Sequence, residues 1–147
     1  MKKATMMCAA VLLLWGSLLS SAEAQAKSVA EKFLRIYSYT LISGTYLDHA
    51  SIFSNPVYYE RKKYNAAGIR AVARKFYSNF ETIDHKFDIW DAYYDKDGLI
   101  TVIAYETHVV RNRKTRKTTT GGGTCLIRLI MVPDGWACYS KEAVTLE

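Results

Sequence analysis

The chain has 147 residues, 50% of them hydrophobic, with 20 Lys and Arg against 14 Asp and Glu and a net charge of +6. That length supports one domain with a real core, and no repeat or low-complexity linker divides it into more. No G-x-S-x-G, Gly-rich phosphate loop or Cys-x-x-Cys occurs, so the nucleophile-elbow, P-loop and dithiol chemistries have no local support.

The N-terminus opens on Lys2 and Lys3, followed by an apolar run from Met6 to Leu19 and the small-residue pattern Ala22-Glu23-Ala24. This is the order of a secretory signal peptide. The run is 14 residues (6 to 19), short of the roughly 20 that span a bilayer. The expectation is a leader over 1–24 and a domain over 25–147, exported to the periplasm or secreted. Ala24-Gln25-Ala26 is a second possible cleavage pattern, and an uncleaved anchor is the alternative. Without Lys2, Lys3 and Glu23, 18 basic residues face 13 acidic ones, or +5. Arg111, Arg113, Lys114, Arg116 and Lys117 equal that excess, so the basicity is local. Nucleic acid is not expected as a partner, because the leader pattern points to export and no aromatics interleave with the basic run.

Helical spacing of Val29, Phe33, Ile36, Tyr37 and Leu41 predicts a helix over Ser28–Leu41. Thr45 and Asp48 form a capping box that opens a short helix to about Phe53. Asn55-Pro56 ends it. Val57–Glu60 reads as a strand and Lys62–Tyr64 as a loop. Asn65 caps a longer helix to Phe80, with an apolar stripe of Ile69, Val72, Ala73, Phe76 and Phe80.

From Lys86 onward the chain reads as four antiparallel strands. The turn Asp95-Lys96-Asp97-Gly98 pairs Asp95 with Leu99. It places Phe87, Ile89, Asp91, Tyr93, Thr101, Ile103, Tyr105 and Val109 on one face, and Trp90, Ala92, Val102, Ala104 and His108 on the other. Gly121-Gly122-Gly123 is expected to loosen or bulge the return strand. Val132-Pro133-Asp134-Gly135 reads as a three-residue hairpin loop. It pairs Val132 with Trp136, Ile130 with Cys138, Arg128 with Ser140 and Leu126 with Glu142. Trp136 and Cys138 then share a face with Leu126 and Ile130, opposite Cys125, Ile127, Leu129, Met131, Ala137 and Tyr139. Cys125 and Cys138 fall roughly 16 Å apart at ~3.3 Å per residue, too far for a disulfide. Two buried thiols are expected.

Asp91, among Ile89, Tyr93 and Ile103, is the candidate general acid or base, with Tyr105 to orient a ligand oxygen. The competing reading is a solvated Asp near a strand end. Tyr37, Tyr58, Tyr59, Tyr93, Arg128 and Trp136 are candidate ligand-binding residues. Arg128 and Glu142 lie diagonally and could pair or hold an anion. His49, His85 and His108 lack metal-ligand spacing, and His85 and His108 fall on opposite sides, so no metal or other cofactor is expected. A sheet apolar on both faces predicts a homodimer through its outer face, with Trp90, Val102, Ala104, Ile127 and Leu129 as contacts. The five cations of the hairpin tip suit an anionic envelope surface or an acidic protein, or are simply a solvated end.

The order helix, short helix, short strand, long helix, four long strands resembles the nuclear transport factor 2-like superfamily, which includes SnoaL-like and ketosteroid isomerase-like proteins. Residues 47–80, LDHASIFSNPVYYERKKYNAAGIRAVARKFYSNF, and 134–140, DGWACYS, carry the likeness. The resemblance implies an α+β fold in which a strongly bent antiparallel sheet wraps a long helix into a cone with a cavity. It implies no single activity: such proteins include isomerases, dehydratases, cyclases, non-catalytic binders and a secretion-system assembly domain. The position of the isomerase base falls at Arg61, which cannot accept a proton. The resulting expectation is an exported, non-catalytic domain that binds a small apolar ligand or a protein. The alternatives are an isomerase-, dehydratase- or cyclase-type enzyme, and a secretion-assembly or toxin-neutralising protein.

Overall fold

The first helix, α1, runs from Lys2 to Ser43 and so contains the expected helix with a long N-terminal extension. The computed structural model describes residues 2–145, with side chains from Ser21 onward. The apolar run of the expected leader thus has its side chains outside the described residues, apart from the backbone helix that carries it. Ala26, Ala30, Phe33, Leu34, Tyr37 and Thr40 form the buried stripe of α1. Ile36 was expected in that stripe but is 52% exposed, because a residue one position before Tyr37 lies about 100° around the helix from it. Among the described residues no helix is long and apolar enough to cross a membrane.

The second helix, α2 (Tyr46–Ser51), has the capping box expected of Thr45 and Asp48: Asp48 N–H donates to Thr45 Oγ1 at 3.2 Å and Thr45 N–H to Asp48 Oδ2 at 2.7 Å. Strand β1 (Phe53–Tyr59) follows directly. Lys62–Tyr64, expected as a loop, is strand β2, paired antiparallel with β1. The two are joined by Glu60 and Arg61, both at positive φ (46° and 64°), which matches the twist of a two-residue hairpin and explains why no Gly or Pro marks the turn. Asn65 caps α3 (Ala66–Asn79) by accepting the Gly68 N–H at 2.8 Å.

Four long strands complete the fold: β3 (Phe80–Tyr94), β4 (Ile100–Asn112), β5 (Thr118–Val132) and β6 (Gly135–Ala143). The sheet order is β2-β1-β6-β5-β4-β3, antiparallel except where β1 runs parallel to β6. This bent, unclosed sheet holds the core on its concave face. Helix α1 packs along β3, and α3 packs on α2 and β1.

Three bulges decide which residues face inward. They fall between Thr82 and Asp84, between Ile89 and Asp91, and opposite the Arg128–Leu129 step. One extra residue flips every side chain beyond it to the other face. The Asp95 turn pairs as expected, with Asp91 opposite Ile103 and Tyr93 opposite Thr101. Beyond the Trp90 bulge, Phe87 and Ile89 turn inward, opposite Glu106 and Ala104. The last hairpin keeps Arg128 with Ser140 and Leu126 with Glu142, but Val132 pairs with Gly135, not Trp136, and Ile130 with Ala137, not Cys138. Its turn is the tighter two-residue loop Pro133-Asp134, and the bulge sits at Tyr139 instead. Cys138 therefore faces inward with Cys125, Ile127 and Leu129. Both thiols are buried and free, and burial pushes them up, to about 11 for Cys125 and about 12 for Cys138. Gly121–Gly123 carries no bulge: the β4–β5 ladder is regular from Ile100 to Arg111.

A buried ion pair at the wall of a cavity

Alternation along β4 puts Val102, Ala104, Glu106, His108 and Val110 on the concave face, so one carboxylate points into the protein. Lys141 reaches the same place from β6, where it stands opposite Ile127. Its Nζ donates to Glu106 Oε2 at 2.8 Å and lies over the rings of Tyr37 and Tyr59, 5.9 and 5.7 Å from their centroids. The other Glu106 oxygen accepts from His85 Nε2 at 2.7 Å. With Nε2 thus the donor, a neutral His85 accepts from Ser38 of α1 at Nδ1, 2.9 Å away. A single chain of hydrogen bonds, Ser38–His85–Glu106–Lys141, crosses the core from helix to last strand.

This chain borders a cavity of about 300 Å³ between the sheet and the helices. Tyr37, Leu41, Tyr59, Phe76, Phe80 and Val110 give it an apolar wall, and Thr82, His85, Glu106, His108 and Lys141 a polar one. Gly121 makes room for His108: a Cβ there would stand 2.6 Å from His108 Nε2. That close approach explains a glycine in the middle of a regular ladder.

Charge in this wall is fixed. Burial alone works against the Glu106 carboxylate, but the hydrogen bond from His85 and the Lys141 ammonium outweigh it and hold it at about 2. Burial also works against the Lys141 ammonium, yet the neighbouring Tyr59 and the Glu106 carboxylate bonded to it keep it protonated well past its ordinary range. Burial raises the Tyr37 and Tyr59 hydroxyls, which stay neutral. The wall therefore presents one cation and one anion in contact, with neutral hydroxyls around them.

Thr82 is the exception to this satisfaction. Its hydroxyl is buried with no hydrogen-bond partner among the described residues. An unpaired buried hydroxyl costs free energy that an isosteric methyl does not. Thr82→Val is expected to raise stability by about 1 kcal/mol, read as a higher midpoint in urea. An unchanged or lower midpoint would mean the hydroxyl finds a partner in solution.

Asp91 and Tyr105, the sequence candidates for chemistry, lie elsewhere. Both are exposed on the convex face, where Tyr105 stacks on Trp90 at 6.0 Å. Tyr37 and Tyr59 do line the cavity. Tyr58 and Tyr93 point outward, and Tyr58 packs on Tyr139. Arg128 also faces outward and binds Asp95 at 2.7 Å and Asp97 at 3.1 Å, not Glu142. Glu142 pairs with Arg61, the exposed residue at the isomerase-base position. Trp136 turns inward, against Tyr94, and borders a separate groove beside α2. His85 and His108, expected on opposite sides, are paired across β3 and β4 and both reach the cavity. Among the described residues no group of His, Cys, Asp and Glu has the geometry to hold a metal.

Of the expected dimer contacts, Val102, Ala104, Ile127 and Leu129 are fully buried on the concave face, and only Trp90 is exposed. Two of the five tip cations are used within the fold. Arg113 Nε donates to the Tyr77 and Phe80 carbonyls at the end of α3, and Arg111 lies 3.7 Å from Glu81. Lys114, Arg116 and Lys117 are exposed at the turn.

Solved structures share this architecture. ActVI-ORFA from Streptomyces coelicolor superposes with a TM-score of 0.62 at 19% identity, over 80% of this chain and 95% of its own. A ketosteroid isomerase-like protein from Erwinia carotovora atroseptica gives 0.66 at 12% identity, over 81% and 96%. A conserved protein from Planctomyces limnophilus gives 0.68 at 7% identity, over 82% and 95%. The chain has the nuclear transport factor 2-like fold. No protein-family model matches it, and no curated protein matches its sequence. The nuclear transport factor 2-like scaffold thus accounts for the cavity, while Lys141, Glu106 and His85 give the cavity its chemistry. Sequence reasoning passed over Lys141 and Glu106 and weighed His85 only as a metal ligand. One signal for Glu106 was available: it stands between Ala104 and His108 on a face otherwise assigned as apolar.

Proposed function

We propose that the cavity binds a small, partly apolar molecule through a neutral oxygen acceptor, such as a ketone carbonyl, and does no covalent chemistry on it. The observation that carries this reading is the Lys141–Glu106 pair at an aromatic-lined cavity. An ammonium has three donors, and one of those on Lys141 is used by Glu106. A carbonyl oxygen gains a hydrogen bond from the cation at no electrostatic cost. A carboxylate placed there meets Glu106 on the far side of the same ammonium. Small-molecule sites of this kind combine apolar walls with a few fixed polar groups.

Protonation states support a reading without covalent chemistry. A general base works best when its pKa lies near the working pH, and Glu106 at about 2 is far below it. Lys141 stays protonated and has no lone pair to attack a carbonyl. One observation favours the second reading, an isomerase-, dehydratase- or cyclase-type enzyme. His85 is oriented by a carboxylate and bonded to a serine hydroxyl, an arrangement able to move a proton.

Proton NMR with acetophenone and benzoate distinguishes the two. Acetophenone is expected to saturate the protein and to remain chemically unchanged, with benzoate at least about tenfold weaker, because its carboxylate is brought up against that of Glu106 and like charges so placed repel. The Lys141→Met/Glu106→Leu double variant should lose most of the acetophenone affinity. Equal binding of the two probes, or failure of acetophenone to bind, would sink the binding reading. Exchange or conversion of the bound ketone would favour the enzyme.

A further inference from the structure

A second, wholly different chamber lies behind the first. Ile69, Val72, Ala73 and Phe76 form the apolar stripe of α3, at the i, i+3, i+4, i+7 spacing that ordinarily packs on a core. Here the stripe faces an open space of about 280 Å³, closed on the other side by His49 and Phe53. Its ionisable groups are Tyr59, whose hydroxyl burial keeps neutral, and His49, which burial, with smaller effects of the neighbouring His85 and Lys141 and against that of Glu106, pushes down to about 4. The chamber is therefore uncharged at neutral pH. Leu41, Tyr59 and Phe76 line both spaces, so they are the partition between them. All three are only partly buried, and none is among the fully buried side chains that fix the core.

We infer that the ligand is amphiphilic: its carbonyl head sits on Lys141 and an unbranched apolar tail passes the Leu41–Phe76 partition into the α3 chamber. This rests on the proposed binding reading and names the ligand class, an aryl alkyl ketone or its equivalent. A charged tail has no partner there, because the polar groups lining the chamber are the neutral Tyr59 hydroxyl and the neutral His49, whose Nδ1 is bonded to Thr40 at 2.8 Å.

The test is a phenyl ketone series, from acetophenone through butyrophenone and hexanophenone to octanophenone, titrated into the whole chain by calorimetry. Affinity is expected to rise by up to about fourfold per methylene until the chamber is full, then level off. Val72 borders only the α3 chamber, so Val72→Phe should block the tail and abolish the gain while leaving acetophenone affinity unchanged. Ala73→Leu repeats the block from the adjacent position should the first variant fold poorly. If acetophenone binds but longer chains gain nothing, or gain equally in the blocked variants, the tail lies elsewhere and the inference falls while the binding reading stands. If no phenyl ketone binds, both fall.

Discussion

Replacing Lys141 with Met is expected to destabilise the protein by about 3–5 kcal/mol, the usual loss when one partner of a buried pair is removed. The ammonium side chain is 6% exposed and the Glu106 carboxyl 18%, so the stranded carboxylate has little access to water. It must either remain charged in the core or take up a proton, and either route costs folding energy. The double variant Lys141→Met/Glu106→Leu removes both charges and is expected to recover most of the loss, because two apolar side chains of similar size need no hydration. The pair is then a device for function more than for stability. Urea unfolding of wild type, single and double variants closes the cycle. A single variant within about 1 kcal/mol of wild type would show that water reaches Glu106 freely. A double variant no better than the single would show that His85 also depends on the carboxylate.

The elements of this fold were legible because their signals are local. Thr45 with Asp48, Asn65 before an apolar stripe, and Asp95-Lys96-Asp97-Gly98 each determine a cap or a turn within a few residues. The sides of the strands were not legible, and the reason is physical. A strand has period two, so one extra residue reverses everything after it. Bulges at Trp90 and Tyr139 carry no Gly or Pro to mark them. They are imposed by the bend of the sheet around α1, which is a tertiary property. The first reversed Phe87 and Ile89, and with them the surroundings assumed for Asp91. The second put Cys138 and Trp136 on the same face as Ile127 and Leu129, whereas Lys141 stands opposite Ile127 in either register. No local pattern identifies a lysine near the chain end as the buried partner of Glu106, 35 positions earlier. A lysine that looks like an ordinary surface residue becomes interior only through the register of a sheet that closes late in the sequence.

The second large effect is on the pH dependence of stability, which should fall in two steps as the solution is acidified. His49 is buried against Tyr37 and Phe53, with ring centroids 4.8 and 5.3 Å away. Burial, then the neighbouring His85 and Lys141, lower it from 6.5 to about 4, with Glu106 opposing. Between those values the unfolded chain binds a proton that the folded protein does not. Stability is therefore present above about 6.5 and lost as pH falls toward 4, by on the order of 3 kcal/mol. Glu106 acts in a lower window. Its folded value of about 2 lies below the ordinary 4.5, so its contribution is intact above 4.5 and lost as pH falls through 2. Asp48 and Asp95, both lowered, share this lower window from the surface. His49→Phe keeps an aromatic ring in the site and removes the titrating group. It is expected to flatten the upper step and leave the lower one, whereas Lys141→Met/Glu106→Leu should shrink the lower step and keep the upper. Urea midpoints measured at half-unit intervals from pH 8 to pH 3 resolve the two. Constant stability down to pH 4.5 in the wild type would show that the imidazole charges without unfolding the chain. An upper step that survives in His49→Phe would belong to another group.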